Sequence, residues 1–564
     1  MKKIPIGYSD FHQIRTPSDF LYVDKTELIA EFLENEAQII LVTRPRRFGK
    51  TLNLSTLRYF FDQENAEENR KLFEGLKISE NPKAMALQGT RPVIFLSFKD
   101  CKENSWSLLF SKVKDMLSDA VREVANLKNP RVDAVEWQKI QDIRQSQQND
   151  PALLSNALRN MSLVLTHHYG HSPLILIDEY DVPLQTAWVY GYYEEAVNFF
   201  RNFFSAAFKD NPYLWRGVMT GCLRISKESI FTGLNNLEVS SVVSRGFSSH
   251  FGLSQAEVKT LLSQYGYEDK AEAVEKWYNG YMFGNSLAYN PWSILNFLKH
   301  GQLKAYWVNT SSNDMVYSLL QKSSPDSKRM LEDLIAQKSI EVPLLEHTVF
   351  DLIEKDANNL WNFLYFTGYL KAESVTYPED GELPKAQFKI PNQEVFIIFK
   401  NSILYWFQES EGYESLKHLH TCLKNGDGME FSKIFRRLCE NSLSYFDVSG
   451  KQPERFYHAF ILGLIVSFSD TWHIRSNREA GFGRCDILMS PKDQNHFGVV
   501  IELKTFDSYE DSDLLACAQK AMQQIEDRQY AKELINQGCQ KVLKIGAGFM
   551  GKQIEICFSG KSPQ

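Results

Sequence analysis

From the start of the chain to about Thr220, short apolar runs alternate with longer amphipathic stretches. Ile39-Ile40-Leu41-Val42, Val93-Ile94-Phe95-Leu96, Leu174-Ile175-Leu176-Ile177 and Leu214 to Met219 predict strands covered on both faces. Residues 25–36, 51–61, 107–127, 152–168 and 192–208 predict the helices between them. This alternation predicts an α/β domain with a parallel sheet flanked by helices. From Ser254 to Phe446 the pattern becomes mostly helical, as in 255–265, 271–278 and 291–299. A polar, turn-rich stretch over 447–453 then leads into a helix over 454–468 and several strands, which reads as a separate α+β domain. The expected division is 1–253, 254–446 and 447–564.

A chain of 564 residues is long enough for several domains that each bury a core. Its 63 Lys and Arg against 70 Asp and Glu give a net charge of -7, which excludes a global positive field for nucleic acid or an anionic membrane. Any nucleic-acid contact must be local. The eight Cys are scattered, with no pair at redox or zinc-knuckle spacing, so reduced thiols are expected. No apolar stretch follows the basic residues at the N-terminus, and the apolar run from Ala459 to Val466 falls far short of the ~20 residues that cross a bilayer. A soluble, cytoplasmic protein without a membrane partner is expected.

Chemistry enters at Arg44-Pro45-Arg46-Arg47-Phe48-Gly49-Lys50-Thr51, between a strand and a helix, the context a P-loop requires. Backbone N–H groups of Arg46, Arg47, Phe48 and Gly49 would surround the phosphates of ATP. Lys50 would reach the β and γ oxygens, and the Thr51 hydroxyl would ligate Mg²⁺. Arg44 departs from the usual pattern by standing where a glycine normally begins the loop, and Pro45 restricts it further. Another Gly-Lys-Ser, at Gly560-Lys561-Ser562, has no helix after it and reads as chance.

A P-loop predicts a second strand that ends in carboxylates, and Leu174 to Ile177 followed by Asp178-Glu179-Tyr180-Asp181 supplies it. Asp178 would hold Mg²⁺ through water and Glu179 would polarise an attacking water; the competing reading is a solvated acidic turn. Asp181 either supports this site from behind or is exposed. Thr220 or Arg224, just past the strand ending at Met219, would face the γ-phosphate, with a structural ion pair the alternative for Arg224.

In the tail, Asp486 lies on one expected strand and Glu502 and Lys504 on the next, joined by the turn over 490–496. Alternation along a strand points Glu502 and Lys504 to the same face, and a hairpin brings Asp486 beside them. Phosphodiester hydrolysis needs carboxylates that converge on Mg²⁺ and a Lys that orients water. The Glu-x-Lys triplet alone is weak, since it recurs at Glu257-Val258-Lys259 and Glu268-Asp269-Lys270 in helical, polar surroundings.

These motifs, with Phe20 to Thr26, Ser229 to Leu237, Trp277-Tyr278-Asn279-Gly280-Tyr281 and Tyr289-Asn290-Pro291-Trp292, resemble the AAA-ATPase-like proteins of bacteria. In that family a P-loop ATPase is joined to a nuclease-like domain of the PD-(D/E)xK superfamily, and the loop also begins with Arg. The resemblance implies an ASCE-type core, then a helical, winged-helix-like lid over about 254–298. It further implies Glu454 as an additional metal ligand, with Gln524 and Tyr530 following the site. Asp24 and Lys25 read as a helix cap.

The expected function is ATP binding or hydrolysis that controls Mg²⁺-dependent cleavage of nucleic acid, DNA ahead of RNA. The alternatives are a nucleotide-driven switch with an inactive tail, and an ATPase acting alone on a partner. Residues 454–564 hold 13 Lys and Arg against 14 Asp and Glu, so the tail is not basic and its own hold on a phosphate backbone is modest. A second copy of the chain is a further candidate partner. The aromatic clusters over 188–193 and 278–283 read as core packing ahead of base stacking, and His167, His168 and His171 as a helix end ahead of a metal site.

Overall fold

The computed structural model describes residues 1–17, 19–127, 131–145, 150–225, 230–231, 236–307, 314–323, 325–335, 337–347, 350–353, 356–379, 381–401, 413–442, 461, 464–465, 468–480, 483–508, 510–551 and 553–559. Glu454, most of the helix expected over 454–468, the turn over 447–453, the motif residues 229 and 232–235, and the triplet 560–562 lie outside the described residues. The chain forms two compact units. The first holds residues 1–310, 342–353 and 358–394; the second holds 311–341, 354–357 and 395–564.

The core of the first unit is a five-stranded sheet of β1 (Ile39–Thr43), β2 (Val93–Ser97), β3 (Leu174–Asp178), β4 (Arg216–Gly221) and β5 (Leu237–Ser240), in the order β2-β3-β4-β1-β5. All its pairings are parallel. Strands β1, β3 and β4 are buried along their whole length, β1 and β3 as their continuous apolar runs required, whereas β2, expected to be covered on both faces, is fully buried only at alternate residues. Helices Lys50–Phe61, Trp106–Ala125, Ala157–Tyr169 and Tyr193–Phe208 lie between the strands in sequence, within a few residues of their expected spans. The last of them buries Phe199, Phe200, Phe203, Phe204 and Phe208, and Phe98 packs against three of these rings. The order of the sheet matters for chemistry, because it inserts β4 between β1 and β3. The three strand tips therefore end side by side.

Helices Gln255–Tyr265, Ala271–Tyr278 and Pro291–His300 follow, as the sequence pattern predicts. The first starts with a full capping box, Ser254 and Glu257 bonding each other's backbone, and ends at Gly266 in the left-handed conformation. Between the second and third helices lies a hairpin, β6 (Tyr281–Phe283) and β7 (Ser286–Ala288). After β8 (Ile340–Pro343), a second hairpin, β9 (Lys371–Thr376) and β10 (Lys385–Lys389), adds strands to a region that reads as helical. These strands are short or polar and leave little trace in an apolar pattern.

In the second unit, β11 (Trp472–Ala480), β12 (Gly483–Pro491), β13 (Gly498–Thr505), β14 (Val542–Met550) and β15 (Gln553–Ser559) form one sheet in sequence order. Only β13 and β14 pair in parallel; the helices Leu514–Asp527 and Ala531–Asn536 connect them. No described helix is long and apolar enough to cross a membrane. The eight Cys are free thiols.

Candidate functional site

The sheet order brings Thr51, Asp178 and Thr220 together at the tips of β1, β3 and β4, with Lys50 and Glu179 beside them. Thr51 Oγ1 donates to Asp178 Oδ2 at 2.8 Å, and Thr220 Oγ1 donates to Asp178 Oδ1 at 2.6 Å. The acid that ends β3 is therefore tied to the loop on one side and to the tip of β4 on the other. Burial, and then the charge of Glu179, raise the Asp178 pKa, while these two hydroxyls and Lys50 oppose the rise.

Lys50 is almost wholly buried. Its ammonium donates to the carbonyls of Arg44 (3.1 Å) and Pro45 (3.2 Å) and lies 3.5 Å from Glu179 Oε1. Burial works against this charge, but Cys222, Glu179, Asp181 and Asp178 outweigh it and raise the Lys50 pKa. The Cys222 thiol is itself pushed up to about 12 by burial, so it is neutral at ordinary pH and the carboxylates carry the attraction. Glu179 stands at φ 54, in the left-handed region that a non-glycine residue occupies only when its surroundings hold it there. Arg47 in the loop, at φ 69, is held in the same way.

The helix Lys50–Phe61 begins at Gly49, φ 88, with no side chain capping its first N–H groups. Those donors, a buried ammonium bonded to loop carbonyls, and a hydroxyl paired with a carboxylate together fit a Mg²⁺–nucleoside triphosphate. The loop side chains divide sharply. Arg46 and Arg47 are exposed, whereas Phe48 is buried edge-on against Tyr281 and Phe283, with centroids 4.9 and 5.0 Å away. Only the backbone of Phe48 is free to face a phosphate. Arg44 is fully buried and turned into the protein, donating to the carbonyls of Thr43, Ser240, Ser241 and Gly246. Its side chain lies beside the rings of Phe251 and Phe283, so it builds the loop from behind.

Asp181 is fully buried, which decides between its two readings. Its Oδ2 accepts from the backbone N–H groups of Cys222 and Leu223 and from Gln185, while Oδ1 has no partner among the described residues. Tyr180, also buried, donates to Leu223 O and accepts from Ile225 N. Together they fix the segment after β4. Gly221 permits this, because a Cβ there would meet both Asp181 Oδ1 and a Tyr180 ring carbon at 2.7 Å. Arg224, on that segment, is half-buried and forms no ion pair with Asp178 or Glu179 among the described residues. After burial, its charge is the main influence that lowers the His347 pKa.

In the second unit the antiparallel register pairs Ile487 with Ile501, which sets Asp486 opposite Glu502. Leu503 N donates to Asp486 Oδ2 at 2.8 Å, and Asp486 N donates to Glu502 Oε2 at 3.3 Å. Gln524, on the helix Leu514–Asp527, donates to Glu502 Oε1 and lies 3.4 Å from the Tyr530 hydroxyl. Lys504 is half-exposed on the same face as Glu502. Among the described residues no group of three or more metal-binding side chains is assembled. Two carboxylates are nonetheless a donor set that suits Mg²⁺, which keeps several of its waters.

How Gln524 reaches Glu502 depends on residues outside both motifs. In β14, Gly546 lies opposite Glu502 and Gly548 opposite Lys504. A Cβ on Gly546 would meet Met522 N at 2.5 Å and Ala518 O at 2.7 Å, and one on Gly548 would meet Ala518 N at 2.8 Å. The two glycines let the helix lie directly on the sheet. A glycine at every second position beside a catalytic-type strand is the signal that marks them.

Comparison with known proteins agrees with this geometry. Residues 5–231 match the family model described as predicted AAA-ATPase, and residues 452–559 match the PD-(D/E)XK nuclease superfamily. The chain thus joins an AAA-ATPase-like domain to a nuclease-superfamily domain, as its motifs led us to expect. A protein of Azotobacter chroococcum mcd 1, described as an uncharacterized protein in the vnfD 5' region, is 25% identical over 543 residues. The match covers 94% of this chain and 93% of that one.

Proposed function

We propose that the first domain binds and hydrolyses ATP and that its nucleotide state governs Mg²⁺-dependent cleavage of nucleic acid, DNA ahead of RNA, by the tail. The three segments 1–253, 254–446 and 447–564 would then serve as ATPase, lid with middle region, and nuclease. The observation that carries the reading is the convergence of Thr51, Thr220 and Lys50 on Asp178 and Glu179. Lys50 would exchange its loop carbonyls for phosphate oxygens, Thr51 and Asp178 would hold the metal, and Glu179 would accept a proton from water. In the tail, Asp486 and Glu502, with Glu454, would hold Mg²⁺, which supplies charge neutralisation at the phosphodiester. Lys504 would orient the attacking water. Thr220 or Arg224, at the tip of β4 and just beyond it, would sense the γ-phosphate.

A second reading, a nucleotide-driven switch whose tail cuts nothing, is favoured by one observation. Asp486 and Glu502 already accept hydrogen bonds from Leu503, Asp486 N and Gln524. The deciding experiment offers single- and double-stranded DNA and RNA with Mg²⁺ or Mn²⁺, with and without ATP, to the unmodified chain and to Lys50→Ala and Asp486→Ala. Lys50→Ala should abolish ATP binding. Asp486→Ala should lose cleavage while retaining ATPase activity; no cleavage of any substrate by the unmodified chain, beside intact ATP binding, leaves the switch.

A further inference from the structure

Each loop residue from Arg44 to Phe48 is held by a segment that comes after the sheet in sequence. Arg44 is caged by the turn beyond β5. Pro45 packs on Gly368, where a Cβ would come within 2.7 Å of its ring. The Arg46 carbonyl accepts from Trp307 Nε1 at 3.1 Å, the Arg47 guanidinium lies 4.3 Å over the ring of Trp292, and the Phe48 carbonyl accepts from Gly252 N at 3.2 Å. In a trans peptide the carbonyl and the next N–H point in opposite directions. Anchoring Arg46 O on Trp307 therefore aims the Arg47 N–H, and anchoring Phe48 O aims the Gly49 N–H. These are donors a phosphate would use.

Trp307 is positioned in turn by a buried acid. Its backbone N–H donates to Glu394 Oε1 at 2.6 Å, and Ser293 Oγ donates to Glu394 Oε2 at 2.7 Å. Glu394 is fully buried and Trp307 nearly so. Their places in the chain are the second observation. The first unit's long opening stretch ends at residue 310, just past Trp307, and Glu394 is the last residue before the chain passes into the second unit for good. The loop is thus bonded to the first exit from its unit, and that exit is bonded to the last.

We propose that Trp307 and Glu394 are positioning residues for the phosphate loop, and that the Trp307–Arg46 bond carries the loop's nucleotide state to the first and last of the three points where the chain leaves the ATPase unit. This rests on the reading that the loop binds nucleotide and that its state governs the tail. A phosphate that accepts from the Arg47 N–H holds the 46–47 peptide in the orientation that keeps Arg46 O on Trp307; without it the peptide is free to turn and release that bond. Two arrangements, bonded and released, are what a nucleotide would select between.

The test uses the full chain and MgATP, with calorimetry for binding and hydrogen exchange for the response of peptides in 314–335 and 413–439. Trp307→Phe keeps an aromatic ring but removes the N–H donor, and is expected to weaken MgATP binding about tenfold. At saturating MgATP it should also lose the change in exchange that the unmodified chain shows. Glu394→Ala leaves the indole in place but frees its backbone, and should act the same way, which keeps the test alive if Trp307→Phe does not fold. Glu394→Gln should restore both readouts, since its amide oxygen can accept from Trp307 N while its NH₂ donates to Ser293 Oγ; a merely structural role would not predict this split. Unaltered binding and exchange in Trp307→Phe and Glu394→Ala overturns the inference alone. Weakened binding with an intact exchange response overturns the coupling. An unmodified chain that binds no MgATP overturns the nucleotide reading, and this inference with it.

Discussion

Arg44 shows how one side chain can replace a glycine without spoiling the loop it begins. A guanidinium removed from water is costly, and burial pushes its pKa down to about 9, which still leaves it charged at neutral pH. The cost is offset by bonds to the carbonyls of Thr43, Ser240, Ser241 and Gly246, of which Ser241 O also accepts from Ser244 N and Gly246 O from Ser240 Oγ. Replacing Arg44 by Gly would restore the common loop sequence, yet we expect it to destabilise the first unit by about 3 to 5 kcal/mol, because those carbonyls lose their shared partner. Arg44→Lys should recover only part of the loss, since a single ammonium cannot span the fork. Denaturant unfolding of the three proteins measures this, and an Arg44→Gly variant as stable as the parent would refute it. The loop and its carboxylates were legible in sequence because each is a run of adjacent residues. The Arg44 cage was not, because its partners lie about 200 residues away and are backbone carbonyls, which every residue has. Asp181 stayed open for a related reason: an acid after a buried strand reads alike whether it faces water or the N–H groups of Cys222 and Leu223.

Among elements, the visible strands are those with unbroken apolar runs; burial on both faces is not required, since β2 has such a run and is fully buried only at alternate residues. β1 and β3 announce themselves as four apolar residues in a row, whereas the edge strand β5, Leu237-Glu238-Val239-Ser240, alternates and is only partly covered. The same contrast explains why β9, with the sequence Lys-Ala-Glu-Ser-Val-Thr, passed unseen. In the tail, the decisive element is the helix Leu514–Asp527, whose seat on β14 depends on Gly546 and Gly548. The obstruction a side chain would meet there is helix backbone, which cannot swing aside as a flexible side chain can. We therefore expect Gly546→Ala to lift the helix, cost about 1 to 3 kcal/mol in the second unit, and withdraw Gln524 from Glu502, while MgATP binding is unchanged. Unfolding monitored alongside an MgATP titration checks both halves. A loss of nucleotide binding, or no change in stability, would show that the helix does not rest on these glycines.

At the scale of the whole molecule, the buried carboxyls of Asp178, Asp181 and Glu394 all bear on the first unit's stability through their protons. Burial pushes Glu394 up to about 7, against hydrogen bonds from Ser293, Trp307 and Tyr306 that favour the charged form. Burial, and then Glu179, also raise Asp181. A carboxyl whose folded pKa lies above its unfolded one keeps a proton that the unfolded chain has already released. Its contribution is fully present below the ordinary value near 4.5 and is lost as pH climbs through about 7. For Glu394 the loss amounts to about 3 kcal/mol, at roughly 1.36 kcal/mol per pKa unit. Glu394→Gln has no proton to lose, so its stability relative to the parent should rise between pH 5 and pH 8 by up to that amount. Thermal or denaturant unfolding at the two pH values measures the double difference, in which the other titrating groups, Asp181 included, cancel. A difference that does not change with pH would mean that Glu394 ionises in the folded unit as readily as in the unfolded chain. The sign carries a consequence for the loop, because the pH range that charges Glu394 is also the range in which its bond to Trp307 is strongest. The acid is thus costly to the fold where its grip on the loop's anchor is firmest.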